Sequence, residues 1–246
     1  MDEHACYQYL EDVNQGLLRL WRGRTGLRVL DVGCGFATTS ALIQKLGNEV
    51  TGIDESPEIE VLAGKRLSRI VRADLQDADL GSEQYDVLIF ADVLEHLVWP
   101  VSVLTRYLRW LAPGGSVIVS LPNVGLWSVR LAHLFGRWEY ADTGVLDRTH
   151  LRFYTRKSGR RLVEEAGLEI VKTTYTPGLV RPFVPLAKRF MGLSSRAPLG
   201  MTLSPDALLN SRPYQLYQKT AYPIERAIAS LWPGMLAFQM IFEAKR

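Results

Sequence analysis

Cysteine is nearly missing from this chain: Cys6 and Cys34 are the only two among 246 residues. That excludes a disulfide-stapled fold, and two thiols that stay reduced fit a cytoplasmic protein. Histidine is scarce too, limited to His4, His96, His133 and His150, so imidazole chemistry has few places to reside. The net charge is +3 and no block of five or six like charges occurs, which leaves no electrostatic footprint for nucleic acid. Long apolar runs are absent as well. The uncharged stretch Ala227 to Phe242 has 16 residues and is broken by Pro233-Gly234, short of the about 20 that an integral membrane span needs. The opening Met-Asp-Glu-His-Ala-Cys lacks the basic-then-apolar order of a secretion signal. A soluble protein is expected.

What is present is an ordinary globular composition, 47% hydrophobic and 22% charged, in a chain long enough for one elaborated domain over residues 1–246. Its organising stretch is Arg28-Val-Leu-Asp-Val-Gly-Cys-Gly-Phe-Ala-Thr-Thr-Ser40. Val29, Leu30 and Val32 suit a strand buried on both faces, and Gly33 and Gly35 allow positive φ and close approach of a ligand to the backbone. A dinucleotide fingerprint, Gly-x-Gly-x-x-Gly, would need glycine where Thr38 stands. The pattern is instead Asp31-x-Gly33-x-Gly35-x-Ala37, with an acid that would repel a phosphate and hold a cationic amino group.

This turn resembles that of the class I S-adenosylmethionine-dependent methyltransferases, whose first motif is an acid followed by Gly-x-Gly-x-Gly, with Ala37 in place of the last glycine. The resemblance implies that Asp31, Gly33, Cys34 and Gly35 bind S-adenosyl-L-methionine. Glu49 to Asp54 reads as a second strand ending in an acid about 20 residues past the turn, where doubly wound folds keep a ribose-binding carboxylate. Asp54 is the expected ribose partner, with Glu55 as the alternative. Leu67 to Val71 is a third strand, and the resemblance assigns Asp74 to the adenine amine and the Leu75 backbone to a ring nitrogen. Tyr85 to Phe90 is a fourth strand. Ala91-Asp-Val-Leu-Glu-His-Leu after it resembles the family's fourth motif, which lines the place where cofactor and substrate meet.

The remaining elements complete an α/β reading. A helix is expected over Glu3 to Trp21; the resemblance implies that residues 1–26 cover the cofactor, which puts His4, Tyr7 and Tyr9 in reach of ligand, with plain packing as their alternative role. A helix over Val101 to Leu111, a turn at Pro113-Gly114-Gly115, a strand over Ser116 to Leu121, a helix over Lys157 to Ala166 and strands over Leu168 to Thr174 and Met235 to Ala244 follow. They make a doubly wound, Rossmann-like sheet of seven strands, mostly parallel with an antiparallel last strand. Pro122 to Arg130 and Asp147 to Thr155 resemble a subgroup that includes MetW-like proteins and methyltransferases of glycan and natural-product pathways, which makes 122–154 a substrate loop. Residues 175–223 hold seven of the twelve prolines and little periodicity, so they read as an inserted cap. Within it Leu179 to Leu193, with Arg181, Lys188 and Arg189, would suit a phosphorylated or lipid-linked acceptor or an acidic membrane surface.

Methyl transfer is an in-line displacement in which alignment supplies much of the rate, and a hydroxyl acceptor gains further from a base. His150, in the run Asp147-Arg148-Thr149-His150, is the expected base, with Asp147 or Asp92 to fix its tautomer. Asp92 and His96 join it as catalytic candidates, while His133 has a surface or packing role. Asp92-x-x-Glu95-His96 together with His150 resembles a carboxylate and histidine metal constellation of a few methyltransferases. The same letters are common in members without metal, so Glu95 and His96 are read as orienting the loop, with no metal assigned. The expected function is O-methylation of a small molecule or a glycan-type acceptor. N-methylation and a MetW-like non-enzymatic partner protein are the alternatives.

Overall fold

A computed structural model describes residues 13–179, 216 and 219–246. Seven strands form one sheet: β1 (Arg28–Val32), β2 (Glu49–Asp54), β3 (Arg69–Arg72), β4 (Tyr85–Ala91), β5 (Leu111–Pro122), β6 (Glu169–Pro177) and β7 (Ala237–Lys245). Their order is β3-β2-β1-β4-β5-β7-β6. The first five pair in parallel, and β7 runs antiparallel to both β5 and β6, as the sequence leads one to expect. Strand order reverses between β1 and β4, and the crevice at that switch point is where open α/β sheets bind ligands.

Both faces of the sheet are covered, which is why its strands read as continuous apolar runs. On one side α1 (Gln15–Leu20), α2 (Thr38–Lys45) and α3 (Pro57–Ala63) bury Leu17, Trp21, Ile43 and Ile59 against Val29, Val50 and Ile89. On the other, α4 (Pro100–Tyr107) and α6 (Arg156–Glu165) pack Leu104, Tyr107, Leu162 and Val163 onto Leu30, Phe90, Val119 and Phe242. Between β5 and α6 the chain makes a helix, α5 (Trp127–Leu134), that buries none of its residues. Two further helices, α7 (Ala221–Leu231) and α8 (Pro233–Leu236), lead into β7. Among the described residues no helix is long and apolar enough to cross a membrane.

Several boundaries differ from expectation. The leading helix, expected over Glu3 to Trp21, starts among the described residues at Gln15 behind its Asn14 cap, with Val13 and Asn14 outside it. The last strand, expected from Met235, starts at Ala237 because Pro233–Leu236 is helical, and β6 runs on to Pro177. The helix expected over Val101 to Leu111 ends at Tyr107 and tightens into a 3₁₀ turn at Leu108–Trp110. Pro113-Gly114-Gly115 does not separate helix from strand: Tyr85 pairs with Leu111 and Val87 with Ser116, so these residues bulge out of β5. Gly114 carries the positive φ of +77° that the bulge requires. The third strand starts two residues later than expected, at Arg69. Residues 1–12, with His4, Tyr7 and Tyr9, lie outside the described residues. So does 180–215, which holds most of the cap and all of Leu179 to Leu193 but its first residue.

Ala37 marks a further feature. It precedes α2 with φ 54° and ψ 28° at 2% exposure, a left-handed conformation that costs an L-residue about 1–2 kcal/mol. Ala37→Gly removes that strain at the cost of a more flexible unfolded chain, about 0.4–1 kcal/mol. A net gain of about 0.5–1 kcal/mol is expected, read as a higher Tm; a lowered Tm contradicts it.

Candidate active site

After β1 the backbone turns through Gly33 at φ +68° and Gly35 at φ +49°. The amides of Gly33 and Cys34 both donate to the Ile53 carbonyl, at 2.8 and 3.2 Å, and the Gly35 amide donates to Asp54 Oδ2 at 3.0 Å. Glycine at 33 is demanded by packing as well as by φ, because a Cβ there would lie 2.4 Å from Val93 Cγ2. Cys34 is 9% exposed and its sulfur sits beside Gly52, where a Cβ would come within 2.7 Å of it. Burial pushes that thiol up, so Cys34 serves as wall and not as a nucleophile.

Asp31, at the end of β1, is 5% exposed. Ser40 Oγ donates to its Oδ2 at 2.5 Å, whereas Oδ1 is buried without a partner. Burial raises this carboxyl to about 7, against the Ser40 hydrogen bond and with help from the nearby Asp54 charge. A buried carboxyl with one bare oxygen is the polar group a cation would satisfy.

Asp31 lines a cavity of about 590 Å³ between the glycine turn, the start of α1, the end of β4, the loop that carries His150, and Phe238-Gln239. The structure brings Asp31, Gly33, Cys34, Gly35, Ala91, Asp92, His96 and His150 together in its wall. Asp54, Glu55, Asp74 and Leu75 are not among the lining residues. Asp54 is 5% exposed and braces the turn, accepting the Ser56 amide at 3.1 Å in addition to that of Gly35. Asp74 is exposed and accepts the Gln76 amide at 2.8 Å. Leu75 is buried under Gly33. The Glu55 carboxyl is raised by burial, then by Asp74 and Asp54, so these three acids form one patch beside the turn.

Asp92 occupies the left-handed region at φ +55°, which aspartate tolerates better than most residues. Ser120 Oγ donates to its Oδ1 at 3.1 Å, Gln239 Nε2 donates to its Oδ2 at 2.6 Å, and Asn14 Nδ2 reaches Ser120 Oγ at 3.0 Å. Asn14 also caps α1 by accepting the Leu17 amide at 2.9 Å. Four elements of the fold therefore converge on this one carboxylate. Asn14, Ser120 and Gln239 were not anticipated; only Asn14 left a trace in the sequence, as a helix-capping residue type ahead of an apolar-periodic run.

Past β4, a 3₁₀ turn at Leu94–His96 places Glu95 and His96 against the returning loop. The Glu95 main-chain carbonyl accepts the amides of Leu151 and Arg152, at 2.9 and 3.1 Å, and so tethers the segment that carries His150. Asp147 Oδ1 accepts the Thr149 amide at 2.8 Å and hydroxyl at 2.7 Å, which leaves His96 Nδ1 to donate toward Thr149 O and Oγ1 at 3.3 and 3.1 Å. His150 Nδ1 lies 3.2 Å from the Val145 carbonyl. A carbonyl only accepts, so Nδ1 carries the proton and Nε2 keeps a free lone pair. This corrects the expectation that Asp147 or Asp92 orients His150: Asp147 is turned to Thr149 and Asp92 to Ser120 and Gln239.

The Glu95 side chain is fully buried and neither carboxyl oxygen has a hydrogen-bond partner. Its Oε1 stands 3.9 Å from His150 Nε2. Burial, with Asp92 and Asp147 adding to it, holds this carboxyl well above its usual range, while burial pulls His150 and His96 down. Burial therefore works against an ion pair at this contact. The ligand-type atoms of Glu95, His96 and His150 lie within 4.8 Å of one another, near enough to share a cation; Asp92 is not part of that group. His133, by contrast, is exposed on α5 with its ring 5.4 Å from that of Trp138.

A family model described as a methyltransferase domain matches residues 2–173. A ubiquinone biosynthesis O-methyltransferase of Burkholderia pseudomallei is 32% identical over 203 residues, covering 77% of this chain and 84% of that protein. One from Cereibacter sphaeroides is 29% identical over 154 residues, and the match spans 59% of this chain and 62% of the relative. Among solved structures, an S-adenosylmethionine-dependent methyltransferase from Archaeoglobus fulgidus shares the fold with a TM-score of 0.57 at 16% identity, covering 94% of this chain and 90% of that one.

The raised Asp31 carboxyl has a signed pH consequence. Below about pH 7 it is protonated and offers no charge to a cationic ligand. Because the folded value exceeds the unfolded one, the free fold loses stability as pH rises from about 4 to about 7. A bound ammonium reverses the preference, so affinity for S-adenosylhomocysteine should fall by up to about tenfold per pH unit below 7. Asp31→Asn should bind weakly with a flat profile. Calorimetry between pH 5.5 and 8.5 measures this, and a flat wild-type profile contradicts it.

Proposed function

Because this chain belongs to the S-adenosylmethionine-dependent methyltransferase family, we propose that its cavity carries out methyl transfer to a hydroxyl of a small molecule, with His150 as the base. The observation that carries this reading is the free lone pair on His150 Nε2 in the cavity wall, held there by the Val145 carbonyl on Nδ1. An amine acceptor already has a lone pair and gains less from such a group. The O-methyltransferase names of the relatives support the oxygen reading. A glycan-type or lipid-linked acceptor rests only on the resemblance of Pro122 to Arg130 and Asp147 to Thr155 and has no further support, so the acceptor class stays at a hydroxylated small molecule. A non-enzymatic role is disfavoured by the bare Asp31 oxygen, since packing alone has no use for it.

The residues fit the cofactor by their donor chemistry. The unpartnered Asp31 Oδ1 suits its ammonium group, and the glycine turn leaves Gly33, Cys34 and Gly35 as a bed of backbone. Asp54, with Glu55 beside it, would hold the ribose hydroxyls, and Asp74 and the Leu75 backbone the adenine. S-adenosylmethionine supplies an electrophilic methyl group on a positively charged sulfur. Ala91 and Asp92 form the floor at the reacting end, and Ser120, Gln239 and Asn14 fix the Asp92 carboxylate there. Nε2 of His150 takes the hydroxyl proton as the acceptor oxygen becomes nucleophilic, worth about 10² to 10⁴-fold. His96, packed edge-on to His150 with ring centroids 4.8 Å apart, keeps the imidazole from rotating. The loop 122–154 closes the acceptor side, and 175–223 is assigned to the acceptor's outer end.

With an acceptor found by its gain of one methyl group, His150→Ala and His150→Gln should lower kcat by about 10² to 10⁴-fold with cofactor affinity retained. A chelator should leave wild-type turnover unchanged. Turnover near normal in the variants contradicts the base role, and loss on chelation with recovery on adding magnesium or manganese assigns Glu95, His96 and His150 to a cation instead.

A further inference from the structure

A second concavity lies behind the loop that carries His150. This groove, of about 710 Å³, is walled by the start of α4 from Trp99 to Ser102, the strip from Leu151 to Tyr154, and α6 from Ser158 to Glu165. It shares no lining residue with the catalytic cavity. The two are back to back: Thr149 and His150 face one, and Leu151 to Tyr154 line the other.

Several features of this groove ask for the same ligand. Tyr154 is 7% exposed, yet its hydroxyl has no hydrogen-bond partner. Burial raises that phenol to about 12, so it remains a donor at any physiological pH. Helix α4 begins here with no side-chain cap and no acid in its first turn, which leaves the positive end of its dipole uncompensated. Arg152 and Arg161 line the groove. Arg152 spends one amino group on the Val98 carbonyl at 2.5 Å, and Arg161 has no hydrogen bond or ion pair among the described residues. The one acid in the lining is Glu165, at the end of α6. Two large apolar side chains of the lining are exposed: Trp99 is 66% exposed and Leu151 60%. An isolated groove needs none of these, and single exposed apolar residues are ordinary. An unpartnered buried hydroxyl, two guanidinium groups, an uncapped helix start and an exposed indole in one wall are complementary to an anion joined to a planar body.

We propose that this groove is a second, non-catalytic binding site for a small aromatic anion, a carboxylate or a phosphate monoester. Its charged end would lie among the α4 terminus, Arg152, Arg161 and the Tyr154 hydroxyl, and its ring on Trp99 and Leu151. An occupant is linked to the active site through the chain itself, because the Leu151 and Arg152 amides hang from the Glu95 carbonyl.

The test is calorimetric titration with phenyl phosphate, benzoate and neutral benzyl alcohol, on protein saturated with S-adenosylhomocysteine. Saturable binding of phenyl phosphate or benzoate, and none of benzyl alcohol, is expected; which anion binds tells phosphate from carboxylate. Arg161→Ala and Trp99→Ala should each weaken it about tenfold or more, and Tyr154→Phe about tenfold for one lost hydrogen bond to a charged group. Melting curves confirm that each variant is folded, and His150→Ala should leave the anion's affinity unchanged. Absence of saturable binding by both anions overturns the proposal. So does binding that survives in Arg161→Ala and Trp99→Ala or is lost in His150→Ala.

Discussion

The glycine-turn side of the cavity depends on one costly burial, that of the Asp31 carboxyl at the end of the central strand. A carboxyl taken out of water with a single hydrogen bond, from Ser40, is a debt that a fold keeps only where a ligand or a partner settles it. The surrounding elements serve to hold that carboxyl in place. β1 pairs on both sides in parallel, with Asp31 opposite Gly52 and Ile89, so its position cannot drift. The glycine turn after it is latched to the end of β2 through the Ile53 carbonyl and the Asp54 carboxylate. The charge, the turn and the second strand form one rigid unit at the place where the sheet's order reverses.

A second constraint acts on the acceptor side. The loop from Asn123 to Tyr154 is long and carries a helix with no buried residue, so it has little packing of its own to place His150. Its two ends are pinned instead by hydrogen bonds. Asn123 and Tyr154 form an isolated bridge, Val124 donates to the Tyr154 carbonyl at 2.8 Å, and Glu95 takes two amides of the returning strip. The imidazole is then oriented from within the loop by Val145. Glu95, fully buried with both oxygens bare, is a polar group on this side of the cavity that the fold alone does not satisfy.

Much of this was legible in the chain, and the illegible part has a physical pattern. β2 could be read to the residue, because Gly47 ends the preceding helix and Asp54 closes an apolar run. The glycine turn and its acid were legible because the chemistry there is local: Asp31, Gly33 and Gly35, within five residues, supply charge, φ and access. The β5 bulge was not, since Pro113-Gly114-Gly115 makes an equally good turn until the partner strand shows that Leu111 already pairs. The Asp92 network was hidden for a different reason. Its members are 106 and 147 residues apart in the chain, Asn14 with Ser120 and Asp92 with Gln239, and polar residues at strand ends carry no mark of their partners. The orientation of His150 was misread because carboxylates are visible in a sequence, whereas a backbone carbonyl such as that of Val145 is not.

The measurement that most directly tests this account is transfer of a labelled methyl group from S-adenosylmethionine into a pool of small molecules, with the product's methyl carbon identified by NMR. The account predicts a methyl ether on a small molecule, formed only when the intact protein is present. A label that appears on nitrogen, or that is not transferred at all by protein that binds the cofactor, would contradict it.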